Sequence, residues 1–170
     1  GGEVMRALLL VLLGVVWAEA CPNVCTAEEC ELGCCTGEAV QTSAGECAVV
    51  VGDVDALALP PAAAEALTVV RGGSVLVFDA SAPDPARSAA LALPALTHIL
   101  SGSLLVHESS LVGNVTLAAL EVVEGAVEVT DSDNLTEVAL PLLRVVGQGL
   151  RVGGCAALER MALPSLQEVG

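Results

Sequence analysis

The feature that most constrains the fold is a unit of about 23 residues that repeats along the second half of the chain. Each unit starts at an anchor leucine, and successive anchors are separated by 24, 23 and 23 residues. After the anchor come a β-branched residue, a glycine-containing turn and two apolar residues that alternate with a third residue. Such alternation is typical of a strand with one buried face. The anchors are Leu96, Leu120, Leu143 and Leu166.

Further apolar columns recur at fixed distances from the alternating pair, so three successive units follow one pattern. The pairs are Leu104 with Val106, Val127 with Val129, and Leu150 with Val152; the columns are Val112, Leu135 and Leu158, then Val115, Val138 and Met161, then Leu117, Leu140 and Leu163. Chance is a poor explanation for agreement at this many positions. Repeats of this length are typical of units that stack on their neighbours to bury a continuous core.

The units are predicted to consist of strands. One unit of this length could also be a strand plus a helix, as in leucine-rich repeats. However, no segment keeps helical spacing over ten or more positions, and prolines at positions 94, 141 and 164 would interrupt helices. The sequence therefore predicts an all-β, parallel β-helix or solenoid, with strands stacked at about 4.8 Å. The Leu-Pro motif ends a strand at a corner, where proline is tolerated.

An earlier, interrupted unit precedes these repeats. Leu67 and Val70 begin it, Val75 and Val77 form its alternating pair, and residues 79–88 interrupt it with a polar, proline-containing stretch. We predict a surface loop for that stretch. Residues 47–60 are predicted to form the opening strand or cap.

Composition and charge narrow both the core and the partners. The chain is 54% hydrophobic but only 1% aromatic, so its core must be built from Val, Leu and Ala. Six arginines and no lysine stand against 21 acidic residues, which gives a net charge of -15. Nucleic acids and anionic lipid headgroups are therefore excluded as expected partners. The charge also serves to keep a very apolar chain in solution.

The N-terminus has the form of a secretory signal peptide. Residues 5–20 contain a basic Arg6, an apolar run over 7–16, and a small-x-small sequence that ends at Ala20. The run is shorter than the about 20 residues that span a bilayer. We expect cleavage before Cys21 and an extracellular or cell-surface location, with residues 1–4 lying upstream of the start.

The segment 21–47 is rich in cysteine, and export predicts disulfides there. Six cysteines allow three bridges, whose connectivity the sequence leaves open; they are Cys21, Cys25, Cys30, Cys34, Cys35 and Cys47. Cys155 is left over, either as a free thiol or as the partner of a residue beyond this chain. A zinc site is disfavoured because both histidines lie far away and C-x2-C pairs are absent. No metal or cofactor is predicted.

Two N-glycosylation motifs become meaningful in an exported chain. They begin at Asn114 and Asn134 and have the form Asn-x-Thr. Each is predicted to accept a glycan if the source is eukaryotic.

At this point residues 48–170 resemble a known family, the receptor L-domain. The pattern L-x-x-V-x-G-x-V-x-V followed by L-x-x-V-x-L-P carries the resemblance, and "LEVVEGAVEVTDSDNLTEVALPLLRVVGQGLRV" matches it most closely. "CPNVC" and "CELGCC" look like part of a furin-like cysteine-rich segment. The family implies a right-handed β-helix that binds ligands outside the cell. In contrast to the receptors, the cysteine segment comes first, and we recognise no kinase or membrane segment within these 170 residues. We expect truncation at the C-terminus.

Catalytic and metal-binding hypotheses find little support in the sequence. His98 occupies a variable position in its unit, and His107 follows a strand end, so neither accompanies a recognisable nucleophile motif. The stretch "TDSDN" at 130–134 could suggest calcium, but Leu135 stands where a third oxygen ligand is needed. A capped turn is the simpler interpretation.

The sequence thus predicts a non-catalytic ligand-binding or adhesion module, with an extracellular protein or glycan as partner. Contact with a membrane would come only through an anchor outside this chain. Two alternatives remain open: a structural component of a cell wall or matrix, and a β-helix enzyme that acts on polysaccharide.

Overall fold

The computed structural model describes residues 33–37, 47–78 and 90–170, which form a parallel β-solenoid of about five coils. The signal peptide predicted at 5–20, Cys21, Cys25, Cys30 and the loop predicted at 79–88 lie outside these residues. The strands are β1 Cys34–Thr36, β2 Val49–Val51, β3 Val54–Asp55, β4 Val69–Arg71, β5 Val75–Val77, β6 Ala90–Ala92, β7 His98–Leu100, β8 Leu104–His107, β9 Asn114–Thr116, β10 Val122–Val123, β11 Ala126–Thr130, β12 Glu137–Ala139, β13 Val145–Val146, β14 Gly149–Gly153, β15 Arg160–Ala162 and β16 Glu168–Val169.

Within the described residues the strands form three parallel sheets, because each coil from β4 to β15 contributes one strand to each sheet as the chain winds round. The seven-stranded sheet has the order β1-β2-β4-β7-β10-β13-β16. The five-stranded sheet has the order β14-β11-β8-β5-β3, and the four-stranded sheet has the order β15-β12-β9-β6. The predicted all-β solenoid is confirmed, and a strand-plus-helix repeat is not what forms.

The register follows the repeat found in the sequence. Val127 lies opposite Leu104 on one side and Leu150 on the other. In the four-stranded sheet, Val138 lies between Val115 and Met161. Residues at equivalent positions of successive units therefore stack directly on each other, and their inward side chains form continuous ladders inside the solenoid.

The ladders form an almost purely aliphatic core. Their inward side chains are fully buried in the middle coils, as Leu120, Leu135 and Leu140 show. In the last coil the same slots are partly exposed: Val152 exposes 45%, whereas Val129 one coil earlier exposes none.

A short helix, α1 (Pro61–Ala66), lies in the first coil between β3 and β4. Alanine has the highest helix propensity, and proline is favoured at the first position of a helix. Ala63 and Ala64 are its buried residues. Residues 47–60, predicted to be an opening strand or cap, form strands β2 and β3.

The cysteine-rich segment is joined to the solenoid by a disulfide. Cys35 and Cys47 are bonded, with their Cα atoms 5.6 Å apart, and Cys34 is also disulfide-bonded. A bridge from β1 to the residue before the first coil fixes β1 against β2, so three of the six predicted half-cystines are confirmed. Among the cysteines that the structure describes, Cys155 is free.

Nothing in the described ranges forms an apolar helix of the length that a membrane crossing requires.

Candidate functional site

A polar groove runs along the corner between the seven-stranded and the five-stranded sheets. Its volume is about 500 Å³. It crosses several coils, and we call it the corner groove. Its lining residues are Ser74, Ser101, Gly102, Ser103, Glu124, Gly125 and Gln148.

Backbone forms the middle of the corner groove because glycines are stacked there. A Cβ atom added at Gly102 would overlap the carbonyl of Gly73 in the preceding coil, and one at Gly125 would overlap the carbonyl of Gly102. The close approach of the coils therefore requires glycine at both positions. Gln148 occupies the next place along the column, where its backbone N–H donates to the Gly125 carbonyl at 3.1 Å.

One wall of the corner groove is a ladder of hydroxyl groups that bridge successive coils. The Ser74 hydroxyl accepts the backbone N–H of Ser103 at 3.1 Å, and the Ser103 hydroxyl accepts that of Ala126 at 3.0 Å. In the coil before, the Asp53 carboxylate accepts the N–H of Ser74 at 2.7 Å. Because the serine oxygens act as acceptors, their hydrogens remain to be donated to a bound molecule.

The opposite wall carries a carboxylate held by the neighbouring coil. Oε2 of Glu124 accepts the backbone N–H of Ser101 at 2.7 Å and its hydroxyl at 3.3 Å. Ser101 has a left-handed backbone, with φ of 55°, and its N–H meets a side chain of the next coil. Both bonds use Oε2, so the other oxygen of the exposed Glu124 can accept further hydrogen bonds.

The offset between coils explains how Ser101 and Glu124 meet. His98 pairs with Val122, whereas Leu104 pairs with Val127, so the offset changes from 24 to 23 residues across this corner. Ser101 lies within the stretch that holds the extra residue. The same residue accounts for the one anchor spacing of 24 in the sequence.

The lining can hold a polar ligand through hydrogen bonds but lacks an arrangement typical of catalysis. Glu124 is the one titratable side chain among the lining residues. Glycoside hydrolysis uses two carboxyl groups that flank the scissile bond. Calcium takes six to eight oxygen ligands, more than this wall offers.

The two histidines occupy the slots that the sequence predicted, and the structure does not bring them together. His98 lies in the seven-stranded sheet opposite Val122, and its Nδ1 is 2.9 Å from the Thr97 hydroxyl. His107 ends β8 in the five-stranded sheet, with Nδ1 2.6 Å from the hydroxyl of Thr130 in the next coil. Both histidines are half-buried, and the side chain that each contacts is a threonine. Neither contact belongs to a recognisable pair of nucleophile and base.

The "TDSDN" stretch forms a turn. Ser132 is buried there; its hydroxyl donates to the Thr130 carbonyl at 3.0 Å and accepts the N–H of Ser109 at 3.2 Å. Cys155 occupies the same place one coil later, with Sγ 3.3 Å from the Gly153 carbonyl. In the described ranges, no group of three or more His, Cys, Asp or Glu side chains could hold a metal ion.

The two glycosylation motifs lie on different kinds of backbone. Asn114 begins β9 and is half-buried, whereas Asn134 is exposed in the turn between β11 and β12. The corner groove itself was not predicted. The sequence does contain a sign of it, because Gly or Ser recurs in the turn after the β-branched residue of each unit. These turns form a groove only when the coils are stacked.

Comparison of the chain with protein-family models, with curated proteins and with solved structures found no match.

Proposed function

We propose that the chain is a non-catalytic extracellular module for ligand binding or adhesion, and that the corner groove holds its ligand. The observation that carries the proposal is the groove itself, which offers hydroxyl donors, a carboxylate and a side-chain amide on a rigid backbone floor. Sites whose donors are already fixed by the scaffold lose less conformational entropy when they bind.

The disulfide supports an extracellular location. The Cys35–Cys47 bridge indicates an oxidising environment, since such bonds persist outside the cytosol. The signal-peptide pattern at 5–20 and the resemblance to the receptor L-domain point the same way. That family binds extracellular ligands without chemical conversion.

The expected ligand is a neutral or basic group on an extracellular protein or a glycan. A chain with a net charge of -15 repels polyanions, and Glu124 places a further negative charge in the corner groove. Hydroxyl-rich molecules and peptide amides can each use the donors of Ser74 and Ser103.

The test is a binding screen with a matched pair of variants. The secreted chain is applied to an array of neutral glycans and to a panel of extracellular domains, and every positive is repeated with Glu124→Gln and Glu128→Gln. Glu128 lies on the outer face of the five-stranded sheet, so its variant has the same change in charge outside the groove. A hydrogen bond to a charged group contributes about 1.5–3 kcal/mol, so Glu124→Gln should weaken binding about tenfold or more.

Equal effects of the two variants would place the ligand elsewhere on the molecule. Failure of every probe to bind would favour the structural alternative, a rigid spacer in a wall or matrix. One observation favours the structural alternative: the consecutive coils are joined by three hydrogen-bonded parallel sheets, which would make the solenoid stiff.

A further inference from the structure

We propose that Asn134, rather than Asn114, is the motif of this chain that carries an N-linked glycan, and that the first sugar of the glycan lies against Leu111. The inference rests on the extracellular location proposed above, because the modification occurs on exported chains.

The Asn134 motif is exposed at both ends, and its middle residue is buried and anchors the turn. Leu135 is fully buried in the core and fixes the turn between β11 and β12, while Asn134 and Thr136 on either side are exposed. Thr136 donates its hydroxyl hydrogen to the Gly113 carbonyl at 2.9 Å. Asn134 is therefore exposed at a corner between two sheets rather than within a strand that has neighbours on both sides.

The Asn114 motif lies on a flat surface instead. Asn114 is half-buried in the four-stranded sheet, with Ala90 directly opposite on one side and Glu137 on the other. Glu137 also forms an ion pair with Arg160 at 3.5 Å in the same column. Neighbouring strands lie about 4.8 Å away on each side, so a glycan here would have to start between two rows of side chains.

Leu111 gives the glycan at Asn134 an apolar surface to cover. Since Asn114 pairs with Glu137, Leu111 precedes Asn134 by the same offset and occupies the corresponding turn of the preceding coil. Leu111 exposes 42% of its surface, and among the described residues the other large apolar side chains exposed to this degree are Leu142, Val152 and Val169. The Asn134 amide nitrogen donates to the carbonyl of Ser110, so the amide is already held beside Leu111. The C–H face of a pyranose ring can cover such a side chain.

The transfer leaves this arrangement intact. The Asn134 nitrogen forms a bond to the anomeric carbon of an oligosaccharide carried on a lipid pyrophosphate. The bond from that carbon to the pyrophosphate breaks, the pyrophosphate leaves with the bonding electrons, and the amide loses one proton. One hydrogen remains on the nitrogen and can still be donated to the Ser110 carbonyl.

Site occupancy tests the first half of the inference. The full chain is expressed in cultured eukaryotic cells, once with its own N-terminus and once behind a known cleavable leader. Glycans are released by peptide-N-glycosidase in heavy-oxygen water, and the labelled sites are read by mass spectrometry. We expect label at Asn134 and little at Asn114. Asn134→Gln and Thr136→Ala should remove the glycan, whereas Thr136→Ser and Asn114→Gln should keep it.

The two N-termini separate this inference from the proposed location. Label at Asn134 only behind the known leader would count against the extracellular proposal and still support the site. Label mainly at Asn114, or none in the chain exported behind the leader, would overturn the site itself.

Thermal unfolding tests the contact with Leu111. The glycoprotein is compared with the same protein trimmed to the first sugar and with the bare protein. Trimming should leave Tm unchanged, and complete removal should lower it by about 2–4 °C. Leu111→Ser should abolish that difference. A Tm that falls on trimming, or an equal fall in the Leu111→Ser variant, would refute the contact.

Discussion

The substitution Gly102→Ala tests how closely the coils must stack at the corner groove. A methyl group there would overlap the Gly73 carbonyl, so Gly102→Ala must force two coils apart. The hydrogen bonds that flank this point run from Gly72 N–H to the Leu100 carbonyl at 2.8 Å and from Val75 N–H to the Ser103 carbonyl at 2.9 Å. Losing both costs about 1 kcal/mol each. With about 1–3 kcal/mol of overpacking, we expect a total loss of about 3–5 kcal/mol.

The matched control is Gly153→Ala, because a Cβ at Gly153 meets no atom within 4 Å. Replacing glycine with alanine in an unstrained place changes stability little or raises it by about 0.4–1 kcal/mol. The free energy of unfolding is measured by urea titration of both variants with the disulfides intact, followed by circular dichroism. Failure of Gly102→Ala to fold would agree with the reasoning. Equal free energies for the two variants would show that the glycine stack is not required.

Two further predictions concern the core and the disulfide. Leu140→Ala, at a fully buried slot, should cost about 2–5 kcal/mol, and Leu163→Ala in the same slot of the partly exposed last coil should cost clearly less. Leu142→Ala, at a side chain that is 48% exposed, should stay within about 0.5 kcal/mol in the same urea titration, and equal losses at all three sites would contradict the ladder. Replacing Cys35 and Cys47 together by serine opens a separation of 12 residues and should cost about 2–4 kcal/mol, measured as a lower Tm, whereas an unchanged Tm would mean that the bridge does not constrain the fold.

Much of the fold could be predicted because each coil repeats the same physical requirement. Leu120 and Leu143 are at equivalent positions of successive coils, because every coil must fill the same interior. The strands are recognisable because apolar residues alternate with others along them. The helix α1 was missed because six residues are too few to show helical spacing. Its Pro-Ala-Ala sequence is a propensity signal with no periodicity to support it.

The corner groove could not be predicted, because it depends on the offset between coils rather than on any one coil. Ser101 and Glu124 lie 23 residues apart, and nothing in either local sequence indicates that a backbone N–H of one meets the carboxylate of the other. The same holds for the hydroxyl of Ser74, which acts on the backbone of Ser103 in the next coil. The sequence indicates which face of a strand is buried, whereas contacts between corners follow only from the stacked structure.

The extra residue near Ser101 also bears on how such a chain can change its length. The preceding coil has a corner of the same length, whereas the next coil lacks the residue. The corner accommodates it with a left-handed turn at Ser101, and β7 and β8 still pair in register with β10 and β11 of the next coil. Insertions at corners therefore leave the interior untouched and alter only the outline of the solenoid. Because the corner groove lies at this place, its shape can diversify by single insertions while the aliphatic ladders stay as they are.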